Sequence, residues 1–595
     1  MEHASLINEL INEAVTEKSL SAYKKLKKIL KQKPEDSKLR FNIAVIEQRL
    51  DFNQEAKANY KYLIKNNKDF KSITNLYLME IKDENYENAL KLIDNGIEIN
   101  PTYETIKKDK AFILYKTNKL EESKKICKFF ISQNKKDITS LNILGLCYFV
   151  ENNFEKAEFF LKQALMYDEN NLQILNSLGR LFHEKRESEQ AERFFLKALK
   201  IDENSFQIIN NLAGFYREEG EYNKAVKFYE KALILNKENP SIISNLAKTY
   251  FDLDKLDLAE EYSLKALKYN EEDGNIKKIL SFVYLKKHNF ELGWTYFDGR
   301  LNLSDFQDRN ETITKLRKKL YFKNNLKKNI NLLVLREQGV GDELLYGSMY
   351  KDLLEQIEDV KIECDKRLLN LFRNSLPKYA QKFVEFGNIS NNNNKLKSVE
   401  NILYAGSLGK YFRRNIKDFN NKNYLFPDKI LSEKYKKIID KFKGKYKFGI
   451  SWKSFKNRYS FDKSLSLENL KHILDFEDCS FFNLQYGDIG NEIEDFESKY
   501  ISKINTIKEL DIYNDFDSLA AFLKNLDMFI TVSNSTAHLA GSLGVKTLLI
   551  KPKNHALFHY WNQYNENTPW YNSVTLISRE DIMNENNLIN KNLFK

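Results

Sequence analysis

Residues Leu172–Ser205 read LQILNSLGRLFHEKRESEQAERFFLKALKIDENS, and this stretch of 34 residues decides the fold of half the chain. Leu175, Leu178, Gly179 and Phe182 recur at helical spacing and mark one buried face. Ala191, Phe195 and Ala198 mark a second face after a polar break. Small residues let two antiparallel helices approach, and large ones fill the space between successive hairpins.

The pattern repeats outward in both directions. One unit earlier the same slots hold Leu141, Leu144, Gly145, Tyr148, Ala157, Leu161 and Ala164. One unit later they hold Ile209, Leu212, Ala213, Tyr216, Ala225, Tyr229 and Ala232. Ala22, Ala56, Ala89, Ala157, Ala191, Ala225 and Ala259 keep a step of 33 or 34, with Ser123 filling the gap and Gly293 one step beyond. Such a period predicts a helical-hairpin solenoid of eight or nine units, ending near Leu303 with an atypical one. Length, residue order and the loop elements Asn152-Asn153-Phe154 and Glu219-Gly220-Glu221-Tyr222 resemble the tetratricopeptide repeat. The expected role is recognition of a protein or peptide in the groove of the repeats.

The 595 residues predict at least two domains. Lys+Arg 95 against Asp+Glu 84 gives a net charge of +11. The lysines are spread along helix surfaces, and no nucleic-acid-binding module is present. Cys127, Cys147, Cys364 and Cys479 form no CxxC pair, so neither zinc nor a disulfide framework is expected. Nothing reads as a signal peptide or a membrane span, and the expected compartment is the cytoplasm.

From about Asn331 the pattern switches to short apolar runs, each followed by a turn and an amphipathic stretch. Strands are expected at Ile330–Leu335, Val360–Cys364, Asn401–Tyr404, Lys447–Trp452, Ser480–Gln485, Met528–Val532 and Thr547–Ile550. Glu337–Glu343 is a glycine-rich turn opening a helix through about Leu354. This alternation predicts parallel, doubly wound sheets in two Rossmann-like lobes, with a ligand cleft at their strand ends.

The stretches Arg336–Glu343, Gly449–Lys453, Val532–Gly544 and Thr568–Tyr571 resemble a bacterial family. In it, tetratricopeptide repeats are fused to a GT-B glycosyltransferase domain of the heptosyltransferase-like type. The architecture is also similar to that of the eukaryotic O-linked N-acetylglucosamine transferase. The resemblance implies that Asp342, in a glycine-Asp motif, is the general base. It implies that the Ser533–Leu539 segment contacts the nucleotide-sugar, and that Lys463 stands in the place of a phosphate-binding lysine. Heptosyltransferases carry Asp-Thr/Ser-Gly where this chain has Ser533-Asn534-Ser535, and that departure leaves the donor sugar unassigned.

The residues themselves fit that chemistry. Gly339 and Gly341 allow close backbone approach at a helix N-terminus. Ser533, Asn534, Ser535 and Thr536, at a strand end opening a helix, suit a diphosphate, with His538 in the first turn. Lys453 and Lys463 are candidate cations, as is Arg458, and Gln485-Tyr486-Gly487 is placed to meet the base. The alternative for Asp342 is a helix N-terminal residue favoured by the macrodipole, and for Ser533 and Asn534 ordinary helix capping. Asp515-Phe516-Asp517 has the form of a metal-binding motif, but its place before Leu519–Leu526 favours capping. His555 and His559 lie in a loop with Trp561 and Trp570 that is expected to cover the cleft.

The expected fold is an α-helical solenoid of tetratricopeptide repeats followed by an α/β GT-B domain. The expected boundaries are 1–305 for the repeats, 306–330 a linker, 331–427 a first lobe, 428–445 a connection and 446–595 a nucleotide-sugar-binding second lobe. The expected activity is a metal-independent, inverting glycosyl transfer that uses a nucleotide-sugar and no cofactor. The alternative is a non-catalytic scaffold with a degenerate nucleotide-binding domain.

Overall fold

The computed structural model describes residues 2–302, 316–323, 325–337, 339–419, 422–454, 463–552, 559–562 and 567–586. The chain divides into two compact units, Met1–Glu221 and Tyr222–Lys595.

In the first unit helix follows helix, from Glu2–Thr16 to Phe206–Glu218. Helices of one hairpin pack tightly, as Leu172–Glu184 does on Ser188–Ile201. The small residues set that distance. Ala157, Ala191 and Ala198 are fully buried, and a Cβ on Gly179 would stand 2.7 Å from the Phe195 ring. The hairpin turns share one device. Lys18, Asp51, Glu84, Asn118, Asn152, Arg186 and Gly220 all have left-handed backbone, with φ between 51° and 80°. After each of the last six, the next residue donates its N–H to the carbonyl five positions back, as Asn153 to Tyr148 (2.9 Å), Glu187 to Phe182 (2.9 Å) and Glu221 to Tyr216 (2.8 Å). This closure satisfies helix-end carbonyls and reverses the chain.

The second unit opens on helices Tyr222–Leu235 to Phe290–Phe297, which keep the same device at Asp254 and His288. A parallel sheet follows, built from β1 (Leu332–Leu335), β2 (Val360–Cys364), β3 (Phe383–Glu385) and β4 (Asn401–Tyr404) in the order β3-β2-β1-β4. The second sheet holds β5 (Tyr446–Ser451), β6 (Cys479–Asn483), β7 (Ile504–Asn505), β8 (Met528–Thr531), β9 (Thr547–Ile550), β10 (Asn567–Thr568) and β11 (Tyr571–Ile577). Its order is β10-β11-β9-β8-β5-β6-β7, parallel throughout except β10 with β11. The architecture is therefore a helical repeat region followed by an α/β region with two parallel sheets.

The end of the repeats and the first sheet share one core. Phe290, Trp294 and Phe297 are buried with Leu332, Val334, Leu344 and Trp570. Trp294 donates its indole N–H to the Arg413 carbonyl at 2.7 Å. Arg300, buried just beyond the last repeat helix, donates to Glu337 Oε1 at 2.7 Å. Gly406 N–H shares that oxygen at 2.7 Å, so one buried carboxylate holds both partners.

The observed elements differ from the expected ones in three respects. The helix after the glycine turn breaks into Val340–Gly347 and Tyr350–Gln356. Strands β3 and β7 are too short to leave an alternation, and exposed Asn572 interrupts that of β11. The stretch 427–445 holds a helix, Lys429–Ile439, whose Tyr435 packs edge-on to Phe522 at 5.7 Å. Among the described residues no helix is long and apolar enough to cross a membrane.

Candidate functional site

Each sheet has a place where strand order reverses, and ligands of open parallel sheets bind at the carboxyl ends there. In the first sheet that place is β1, flanked by β2 and β4. Its carboxyl end runs into Arg336 and the Gly339–Asp342 turn. In the second it falls between β5 and β8. Their carboxyl ends run into Trp452-Lys453 and Val532–Thr536. The two turns meet: a Cβ on Gly341 would lie 3.2 Å from His538 Cδ2 and 3.6 Å from Ser535 Cα. Two segments singled out in sequence nearly two hundred residues apart thus face each other, N-terminus of helix against N-terminus of helix.

His538 is buried at this junction. Its Nδ1 lies 3.0 Å from the Tyr571 hydroxyl, and its ring stacks on Trp561 at 4.6 Å. Burial first, then the nearby Lys463 ammonium and His559, push its pKa down to about 3. The imidazole is neutral at physiological pH and offers hydrogen bonding rather than charge. Lys463, also buried, is the candidate cation that reaches this histidine. Asp342 is half-buried, with Oδ2 3.3 Å from where a Cβ on Gly339 would stand. Its charge reaches Tyr560, whose hydroxyl is raised well above its usual range by burial and then by Asp342.

Other candidates hold the framework together. Asn534 caps the Ser535–Leu543 helix, accepting from Ala537 N–H at 3.0 Å. Its amide donates to Ser451 Oγ at 2.6 Å, so the side chain is committed to β5 and to the cap. Ser533 Oγ accepts from the Trp561 indole at 3.0 Å. Gln485 was expected to meet a ligand, but its Oε1 accepts from the N–H groups of Trp452 (2.8 Å) and Lys453 (2.6 Å). It braces the β5 end against the β6 end. Lys453 is paired with Glu492. Ser535 is half-buried and Thr536 buried at the helix start.

The carboxylates flanking Asp342 point elsewhere. Glu337 is the Arg300 partner. Glu343 is fully buried, pairs with Arg336 at 2.8 Å and accepts from Asp365 N–H at 2.8 Å. Burial, against the pull of Arg336, pushes its pKa up to about 8. Asp515 caps the Phe516–Leu523 helix through Ser518 N–H at 2.9 Å. Among the described residues no group of three His, Cys, Asp or Glu side chains is placed to hold a metal ion.

Arg458 and His555 lie outside the described residues. Trp561 and Trp570 are buried core residues rather than a cover. Trp570 packs on Phe419 at 5.0 Å. The segment His559–Asn562 is a tie that sequence reasoning missed. His559 packs on Phe282 at 5.6 Å and Trp294 at 6.1 Å on the repeat side, while Tyr560 and Trp561 pack on His538. A lone aromatic run has no spacing that announces such a role. A separate surface cleft of about 670 Å³ lies beside Glu291, Asp352 and Arg414, away from these turns.

Comparison with known proteins bears on the repeats. Residues 138–171, 172–205 and 240–273 match the tetratricopeptide repeat, and 215–254 match a further TPR repeat model. The chain therefore carries tetratricopeptide repeats. It is similar to protein FlbA of Caulobacter vibrioides, 27% identical over 256 residues, 41% of this chain and 42% of that protein. The match thus spans under half the length of the curated relative. Among solved structures it is similar to pilF of Pseudomonas aeruginosa, at 17% identity, 35% of this chain, 95% of that one and a TM-score of 0.28. A tetratricopeptide repeat protein of Parabacteroides merdae gives 17% identity, 42% and 98% coverage and a TM-score of 0.32.

Proposed function

We propose that the chain is a glycosyltransferase of GT-B type. It moves a sugar from a nucleotide-diphosphate donor to a hydroxyl on a protein or peptide held by the repeats. The observation that carries this reading is the meeting of the two switch-point turns, with Gly341 against His538. In the proposed reaction the acceptor oxygen attacks the anomeric carbon while the bond from that carbon to the diphosphate oxygen breaks. The hydroxyl proton passes to the Asp342 carboxylate, and the leaving electron pair stays on the diphosphate. Lys463 and the N-terminus of the Ser535–Leu543 helix oppose the charge that develops there. Direct displacement inverts the anomeric centre.

The test is release of nucleoside diphosphate from a panel of nucleotide-sugars, with acceptor extract present. Release with at least one donor is expected, and Asp342→Asn should slow it by ~10²–10⁴-fold, the usual contribution of a positioned base. No release with any donor overturns the reading. One observation favours a scaffold with a degenerate site instead: Ser533 is bonded to Trp561 and His538 to Tyr571 within the fold. That reading expects the donor panel to give nothing while nucleotide binding persists.

A further inference from the structure

The carboxyl ends of the second sheet form a row beyond the site already described. In the order β8-β5-β6-β7 they carry Ser533–Thr536, then Trp452-Lys453, then Tyr486, then the loop that leads to Tyr513. The last two positions bring aromatic rings together. Tyr486 and Tyr513 lie 6.1 Å apart with planes at 45°. Tyr513 is 57% exposed.

A residue just beyond the first sheet also meets that ring. Arg367, just beyond β2, is bound by both carboxylate oxygens of Asp365 at 2.9 and 3.0 Å. Its guanidinium lies 5.4 Å from the Tyr513 ring and 5.6 Å from that of Phe516. Its Nη1 donates to the Tyr513 carbonyl at 3.3 Å. Tyr513 is therefore held in place through Arg367 although more than half of its surface is exposed. Gly487, next to Tyr486, has φ +99° and adds no side chain to the surface.

We propose that Tyr486 and Tyr513 form a stacking platform for the base of a nucleoside diphosphate, with Arg367 as the positioning residue behind it. The inference rests on the reading of the Ser533–His538 turn as a diphosphate site. Adjacent strands are ~4.8 Å apart, so β6 lies ~10 Å along the sheet from β8. A diphosphate at the helix start on β8 would thus extend its ribose past Lys453 and lay its base on the tyrosines. Stacking accepts any base, and this platform sets nucleoside over bare phosphate rather than one base over another.

Calorimetry on the full chain tests it, with uridine, guanosine, adenosine and cytidine diphosphates and inorganic pyrophosphate as probes. The best nucleoside diphosphate should bind at least ~10-fold tighter than pyrophosphate, and Tyr486→Leu with Tyr513→Ala should remove about that factor. Pyrophosphate affinity should be unchanged in that variant, and Tyr513→Phe should keep the wild-type preference. The platform is overturned if the double variant binds nucleoside diphosphates as the wild type does. Equal loss of pyrophosphate binding, or a Tyr513→Phe variant as weak as Tyr513→Ala, overturns it too. In each of those results the diphosphate site itself stands. Absence of all binding in the wild type overturns the diphosphate site and the platform with it.

Discussion

At the scale of single residues, burial decides which groups can carry charge. His538 and His559 are both enclosed by aromatic rings, and burial pushes each to about 3. In the unfolded chain both titrate near 6.5. Below that value the unfolded chain takes up protons that the folded chain refuses, so stability falls as pH drops from about 6.5 towards 3. Above 6.5 these two groups contribute no slope. Thermal unfolding from pH 7.5 to pH 4.5 should show a falling midpoint, and His559→Asn should flatten the fall. An unchanged slope in that variant would contradict the assignment. Residue types were legible here, but their distant partners were not. The helix cap of Asn534 on Ala537 is local and legible, but its bond to Ser451 and those of Gln485 to Trp452 and Lys453 join residues far apart in sequence. Local spacing holds no record of such bonds.

At the scale of elements, the repeat was the most legible part, because its period comes from packing that every hairpin must satisfy. The left-handed turn was legible at Gly220 and at Asn152, residue types that accept that conformation. At Glu84 and Arg186 the same conformation is imposed on side chains that disfavour it by about 1 kcal/mol or more. Nothing lies within 4 Å of a Cβ built on Gly220, so replacing it changes backbone strain alone. Gly220→Ala should destabilise the first unit by about 1 kcal/mol, measured by urea unfolding. An equal or greater stability would show that the turn relaxes. Strands with a continuous apolar run, such as β2, β4 and β9, stand where those runs predicted. Strands of two or three residues are set by their neighbours in the sheet and have no pattern of their own.

At the scale of the molecule, distant segments become one structure only through the fold. The Gly339–Asp342 turn and the Ser533–His538 segment were each visible in the sequence as a strand-end turn opening a helix. Their approach depends on two sheets and on ties such as Arg300 with Glu337 and Trp294 with Arg413. A buried Arg–Glu pair 37 residues apart has no signature in sequence. The central claim is that both turns line a single nucleotide-sugar site. Hydrogen–deuterium exchange tests it most directly, comparing peptides over 339–347 and 533–543 with and without a saturating nucleotide-sugar donor. The account predicts that both peptides slow together for the same donor and at the same concentration. Protection of one without the other, or of neither while the donor is bound, would contradict it.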